Sequence, residues 1–359
     1  MYNLSEIRCI HFEPTNKCQA RCPQCGRIDV DYESKNFLKI NPLITDRNGR
    51  SGCLEEVSLV DFIKWFPPKF VSQLENLYMC GTSGEPSLAT DCLKIFAYLR
   101  ITNPHIKLTI HTNGGCKSKE WWEKLAKLRV RAVFGIDGLE DTHSLYRINT
   151  DWKKIINNSS AFISAGGKAC WQMLVFKHNE HQISECIRMA KDFGFDSFCL
   201  EHTTRFSEYE LGNKQPVLNP KGEITHYLEP SSVSLKNYEK VKDSFVGIKP
   251  VLEKIECSVK SNKELYVAAN GDVIPCCHMR SCFEFIPDDI EDYKNKINVK
   301  YNLYKNTLKE IFDSQYFRKI EKTWDSDPLL ICAKTCGKVT GTFKEHASLQ
   351  SRVINLRRP

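Results

Sequence analysis

The sequence predicts an α/β protein: a mostly parallel sheet with helices outside it, followed by a smaller α+β unit rich in cysteine. Three observations carry this. From Ile7 to about Phe206, short apolar strands alternate with amphipathic helices, the pattern of repeated β/α units. The pattern then breaks, and GNKQP, LNPKG and EPSS crowd turn-forming residues into the stretch from 207 to about 250. Beyond it, Cys257, Cys276, Cys277, Cys282, Cys332 and Cys336 gather around a hairpin signal, LYVAANGDVIPC.

The bulk numbers agree. A chain of 359 residues has room for a barrel-sized domain and a second, smaller one. With 41% hydrophobic and 26% charged residues, it matches folded globular proteins and not disordered ones. No apolar run approaches the ~20 residues of a membrane span, so no membrane partner is expected. The start, MYNLSEIRCIHFEP, lacks a basic region followed by an apolar core, which argues against a signal peptide and for the cytoplasm. In a reducing compartment the 17 cysteines read as metal ligands and buried thiols sooner than as disulfides. The net charge of +7 is modest. The basic end, SRVINLRRP, reads as solvated surface, so nucleic acid is not expected as a partner.

Strands are expected near 7–13, 76–80, 107–111, 131–137, 168–176 and 197–202. The helices between them are marked by their apolar stripes. Trp121, Trp122, Leu125 and Leu128 follow Ser118; Ile155, Ile156, Phe162 and Ile163 follow Asp151; Ile183, Ile187, Ala190 and Phe193 form the third. Gly166 and Gly194 are natural left-handed helix ends. An insertion from about Asp29 to Glu55, rich in Asn, Asp, Lys and Gly, is too long and polar for a simple connection and reads as a lid or a mobile loop. In the hairpin signal, Asn270-Gly271 between two alternating runs predicts a tight type I′ turn.

The chemistry is concentrated between Pro14 and Arg27, PTNKCQARCPQCGR, where Cys18, Cys22 and Cys25 stand at C-x3-C-x2-C. Three thiolates in one loop can hold three irons of a [4Fe-4S] cluster and leave the fourth iron open to a ligand. Structural zinc is the rival, but it wants four closed ligands and no nearby His or Cys supplies the fourth. Chance clustering in a cysteine-rich chain is the bland alternative.

This spacing, directly after an apolar strand, resembles the signature loop of the radical S-adenosylmethionine (SAM) enzymes. The resemblance implies a partial (β/α)6 TIM barrel in which the open iron binds SAM, and an electron passed through the cluster cleaves SAM to methionine and a 5′-deoxyadenosyl radical that abstracts a substrate hydrogen. It also implies an electron donor of flavodoxin or ferredoxin type. Where the family often has an aromatic residue before the third cysteine, this chain has Gln24.

Further turns look like those of the family. Ser83-Gly84-Glu85-Pro86 resembles its GGEP segment, with Ser83 for the first glycine, and implies binding of the SAM amino group. Thr112-Asn113-Gly114 resembles its turn beside the SAM pocket. Gly135-Ile136-Asp137-Gly138 resembles Ser-x-Asp-Gly with Gly135 in the serine's place; there Asp137 and the downstream Arg147 imply contacts to the SAM ribose or carboxylate, a structural salt bridge being the alternative. Cys170 with Gln172, and Cys199 with Glu201, share strand faces. A thiol there could return a hydrogen atom to a substrate radical, though core filler is the commoner fate of such a cysteine. No catalytic side chain is assigned.

Cys257 through Gly271 to Cys276 matches C-x13-G-x4-C, which resembles the start of the SPASM and twitch domains that follow many radical SAM barrels. With only Cys332 and Cys336 near the end, the twitch form with one auxiliary [4Fe-4S] cluster fits better. Its ligands would be Cys257, Cys276, Cys332 and Cys336, with Cys277 or Cys282 as substitutes and zinc as the rival. The domain reading is a barrel over 1–206, a linker over 207–250 with a bridging helix near Leu235 to Phe245, a twitch- or SPASM-like domain over 251–345, and a basic tail over 346–359. The function expected is a radical SAM oxidoreductase acting on a peptide or protein. The alternatives are an enzyme of small sugars, aminocyclitols or nucleotides, and a non-catalytic metal-binding protein.

Overall fold

The computed structural model describes residues 3–30, 37–41, 44–203, 206, 214–233, 252–284, 286–339 and 352–356. In chain order its strands are β1 (Cys9–Phe12), β2 (Ile28–Val30), β3 (Phe37–Ile40), β4 (Asn76–Met79), β5 (Lys107–Thr112), β6 (Val130–Gly135), β7 (Lys168–Val175), β8 (Ser197–His202), β9 (Gln215–Leu218), β10 (Ile224–Leu228), β11 (Leu252–Ile255), β12 (Glu264–Val267), β13 (Asp272–Ile274), β14 (Tyr301–Asn302), β15 (Gly337–Val339) and β16 (Arg352–Asn355). The chain divides into two compact units. One comprises Met1–Lys17, Asn41–Thr109 and Pro250–Thr340, the other Cys18–Ile40, Ile110–Lys249 and Gly341–Pro359. Strand β5 passes from the first to the second.

In the first unit β1 lies between two parallel neighbours, with Cys9 opposite Glu264 of β12 and opposite Asn76 of β4. Alternation along β1 sends Ile10 and Phe12, both fully buried, to one face. There Phe12 meets the rings of Phe62 and Phe66, from helix Leu59–Trp65 and its C-cap. His11 faces the other way, its ring 4.4 Å from Tyr78 and 4.8 Å from Tyr266. The hairpin β12–β13 forms where Asn270-Gly271 predicts it, but its turn is not type I′. That turn needs positive φ at both central residues, and here only Gly271 has it, at +86°. The turn is closed instead by Gly271 N–H donating to Ala268 O at 2.9 Å. Asn302 of β14 clamps it, donating to Asn270 O at 2.8 Å and to Asp272 Oδ1 at 2.9 Å.

In the second unit β6, β7 and β8 run parallel, with Gly135 opposite Gln172 and Gln172 opposite Cys199. Trp122, Phe134, Phe162, Trp171 and Phe198 bury completely between strands and helices. Gly166 and Gly194 do take left-handed φ, +87° and +83°, and end helix Trp152–Ser164 and helix Ile183–Asp192. Two segments carry more structure than their composition suggests. The 207–250 stretch contains the antiparallel pair β9–β10, while the helix expected near Leu235 to Phe245 lies outside the described residues. Within the basic end, Arg352–Asn355 adds to β8 as an antiparallel edge strand. The Asp29–Glu55 insertion holds the β2–β3 pair, in the second unit. In the first unit its later part is pinned by Arg47 Nη2 donating to Glu55 Oε1 at 2.6 Å.

One link holds the end of β6 in the second unit. Helix Glu140–Tyr146 sends back His143, whose Nδ1 accepts the Asp137 N–H at 3.1 Å and whose Nε2 stands 3.0 Å from Thr150 Oγ1. Burial holds this imidazole at about 4, below its ordinary 6.5. The unfolded chain therefore takes up a proton that the folded chain refuses, and stability present above pH 6.5 is lost as pH falls from there toward 4. The loss expected is about 1 kcal/mol by pH 5.5 and about 3 kcal/mol below pH 4. Anaerobic urea titrations at pH 7.5 and 5.5 check this: the decline should shrink by that first amount in His143→Gln, and an equal decline in both proteins excludes His143 as its source.

Candidate functional site

Within the first unit, the loop after β1 is built against the turn that follows β4. Glu85 N–H donates to Lys17 O at 2.7 Å. The approach requires glycine: a Cβ on Gly84 would lie 1.9 Å from Thr15 O, and one on Gly81 would lie 1.6 Å from Gly84 O. Glu13, fully buried, accepts the Thr82 N–H and the Ser83 N–H, the latter at 3.3 Å. It is a positioning residue that sequence reading passed over, although a carboxylate at a strand end, one residue before the cysteine loop, was the available signal. Ser83 and Glu85 are also buried. The Glu85 carboxylate is occupied by its own turn, accepting from Ser87 N at 3.1 Å and Ser87 Oγ at 2.7 Å.

Within the second unit, Cys18, Cys22 and Cys25 share one loop. Cys22 is buried and the other two are half-buried. All three lie with an apolar cluster of Ala20, Tyr146, Phe176, Phe206, Val217 and Leu228. Burial pushes the Cys22 thiol up to about 11 while Arg147 draws it down; a bound metal displaces such a proton outright. Two side chains aim N–H groups at these sulfurs. Arg147 Nη1 is 3.9 Å from Cys22 Sγ, and Asn113 Nδ2 is 3.8 Å from Cys18 Sγ. Asn113 is fixed by Gln19, whose amide donates to Asn113 Oδ1 at 2.7 Å. Arg147 is fixed by Asp137, Nε to Oδ2 at 2.6 Å. Asp137 is fully buried, and its other oxygen accepts Leu174 N–H at 2.7 Å. With no surface of its own, Asp137 acts through Arg147. Gln24 faces Thr203, which donates to its Oε1 at 3.0 Å, and Gln215 of β9 donates to Pro23 O at 2.9 Å. An all-sulfur donor set in an apolar shell, with N–H groups directed at two of the sulfurs, fits an iron–sulfur cluster.

Also in the second unit, Cys199 Sγ donates to Glu201 Oε1 at 3.3 Å and Gln172 Nε2 to the same oxygen at 3.2 Å. Burial, with Glu201 beside it, pushes Cys199 up to about 12, so it stays a thiol at neutral pH. Cys170 packs with Cys199 and Val133.

The second cysteine group lies wholly in the first unit. Cys257 caps the short helix Ser258–Ser261, Cys276 follows β13, and Cys332 and Cys336 stand one turn apart on helix Leu330–Cys336. These four thiols line one cavity together with Ile320, Trp324 and Met279. Cys336 hydrogen-bonds Cys257, and with the helical N–H groups of Val259 and Lys260 this holds the Cys257 thiol below its usual range. Cys277 and Cys282 are absent from the cavity wall. Cys277 lies in the field of Glu264 and Glu13, and Cys282 is buried beside Asp289.

The Radical SAM superfamily model matches residues 12–190, and a model for an iron–sulfur cluster-binding domain, SPASM, matches residues 257–337. No curated protein matches the sequence. Among solved structures, SuiB of Streptococcus suis bound to its precursor peptide SuiA is 15% identical at a TM-score of 0.52, covering 86% of this chain and 65% of SuiB. The chain thus spans a little under two thirds of SuiB. Native anSMEcpe with bound AdoMet is 15% identical at a TM-score of 0.51, covering 87% of this chain and 82% of its own. BtrN in complex with AdoMet and 2-DOIA is 13% identical at 0.43, covering 89% and 87%. At such identities the likeness is one of fold: the partial barrel of parallel β/α units with a hairpin-bearing C-terminal domain. This chain belongs to the radical SAM superfamily and carries an iron–sulfur cluster-binding domain of the SPASM kind.

Proposed function

We propose that this chain is an oxidoreductase that removes a hydrogen atom from a peptide or protein substrate. The observation that carries the radical reading is the loop of Cys18, Cys22 and Cys25, three thiols in an apolar shell with Asn113 and Arg147 directed at two of them. When bound there, the cluster supplies the electron that splits SAM into methionine and the 5′-deoxyadenosyl radical that takes the hydrogen. The protein's part is to hold the reactants close and keep water away. Tyr146, Phe176, Val217 and Leu228 exclude water on the second unit.

The finer assignments are proposals of the same kind. Cys18, Cys22 and Cys25 hold three irons; Asn113 and Arg147 serve SAM, with Asp137 orienting Arg147, and Ser83, Gly84 and Glu85 have the SAM-binding role that their motif's resemblance implies. Cys257, Cys276, Cys332 and Cys336 hold a single auxiliary cluster. The peptide reading is supported by the fold likeness to SuiB, solved with its precursor peptide, and to anSMEcpe, solved with the Cp18Cys peptide at a TM-score of 0.50. The barrel (1–206), linker (207–250), auxiliary domain (251–345) and tail (346–359) boundaries, and a cytoplasmic site of action with a flavodoxin- or ferredoxin-type donor, go with that proposal. No helix among the described residues is long and apolar enough to cross a membrane.

Anaerobically reconstituted protein should hold about eight irons, and Cys18→Ala and Cys257→Ala about four each. With SAM and dithionite the parent and Cys257→Ala should form 5′-deoxyadenosine and Cys18→Ala should not; a full iron complement without that product in the parent defeats the enzyme reading. For Gly84→Ala, whose new Cβ meets Thr15 O at 1.9 Å, the turn must move, and SAM affinity measured by equilibrium dialysis should fall about tenfold or more at unchanged iron content. For the substrate, peptides encoded beside the gene are the probe. A mass change in such a peptide, matched to 5′-deoxyadenosine formed, is expected, whereas turnover of aminocyclitols or nucleotides alone rejects the peptide reading.

A further inference from the structure

Gly135 stands where the family pattern has serine, and the volume it leaves open is used. A Cβ at this position would lie 2.6 Å from Arg147 Nη2 and 3.1 Å from Arg147 Cζ. The guanidinium lies across the strand end in that space. Its Nε donates to Asp137 Oδ2 at 2.6 Å and its Nη1 points at Cys22 Sγ from 3.9 Å. The backbone beneath it is equally constrained. Arg147 N–H donates to His143 O at 2.9 Å, Thr150 Oγ1 donates to Arg147 O at 2.6 Å, and His143 returns to Asp137 N–H. A side chain held at so many points keeps one orientation.

We propose that Arg147 is a positioning residue that hydrogen-bonds the Cys22 thiolate of the SAM-binding cluster and raises its reduction potential, with Asp137 fixing the guanidinium and Gly135 making its room. The proposal rests on Cys18, Cys22 and Cys25 being the cluster ligands. Adding an electron makes a cluster more negative, so an N–H donor or a positive charge at its sulfurs favours the reduced form. The apolar shell of Tyr146, Phe176, Val217 and Leu228 screens that charge poorly, which enlarges the effect. Asp137 opposes it, but it touches the far side of the guanidinium while the N–H faces the sulfur. Asn113 is the neutral counterpart at Cys18, 3.8 Å away.

The test is an EPR-monitored redox titration of the full-length, anaerobically reconstituted protein, following the signal that changes on adding SAM. Arg147→Gln should lower the equilibrium constant for reducing that cluster about tenfold, which is about 59 mV for one electron. Arg147→Lys should fall between the two, because it keeps the charge and loses the planar fork. Gly135→Ser leaves Arg147 in the sequence but crowds it out, and should shift the potential the same way. It also keeps the test alive if Arg147→Gln fails to load its cluster. Variants that lower the melting temperature while leaving the potential unmoved mark a structural ion pair and overturn the proposal. A parent with no SAM-sensitive signal overturns instead the cluster assignment on which it rests.

Discussion

Between Pro14 and Gly26 the chain has neither helix nor strand, so its peptide groups must find partners on other elements, and that demand shapes everything around it. An unpaired buried peptide group costs about as much as a lost hydrogen bond. In the first unit the demand is met by Pro14 O accepting Val57 N–H at 2.9 Å and Asn16 donating to Glu55 O at 3.2 Å, besides the Lys17–Glu85 link. In the second, Arg21 N–H reaches Ile148 O at 2.9 Å and Arg27 Nη2 reaches Ala20 O at 2.8 Å. The loop is thus shaped by what surrounds it. The insertion that ends near Glu55 is one of those supports, with Arg47 holding Glu55 and stacking 4.1 Å over the Tyr304 ring.

The same economy governs charge. Buried ions are tolerable only when paired and hydrogen-bonded, and two fully buried carboxylates, Asp137 and Glu13, obey this differently. Asp137 is matched to a cation and a peptide N–H. Glu13 takes two peptide N–H groups of the Thr82-Ser83 turn. Glu13 fixes the turn after β4, while Asp137, just past the end of β6, ties Arg147 to β7; both lie at carboxyl ends of strands, where β/α folds carry their chemistry.

Much of this was legible in the sequence because β/α units advertise themselves locally: an apolar run, a capped amphipathic helix, a glycine. The six expected strands, the left-handed Gly166 and Gly194, the cysteine loop and the four cavity thiols all follow from such signals. What was not legible is pairing between distant segments. β12 adds in parallel beside β1 from the other end of the chain, and no local pattern records its neighbour. Pro216 hides β9, since proline inside a run argues against a strand, and at Arg352–Asn355 the surrounding basic residues hide an edge strand. The turn at Gly271 misled for a related reason: Asn302 of β14, contributed from thirty-odd residues later, helps to select a conformation that the dipeptide alone does not.

The departures from the family's motifs are informative for the same physical reason. A missing side chain leaves a volume, and packed interiors do not leave volumes empty. At Gly135 that volume is occupied by the Arg147 guanidinium. At Gln24, where an aromatic residue is usual, the side chain is buried and takes Thr203 as partner, while β9 closes over the preceding Pro23. Neither change alters Cys18, Cys22 or Cys25, and the first brings the Arg147 guanidinium to 3.9 Å from Cys22 Sγ. A residue that breaks a motif while a neighbour fills its space therefore points to retuned surroundings for the same chemistry; had the space stayed open to water, loss of the site would be the sounder reading.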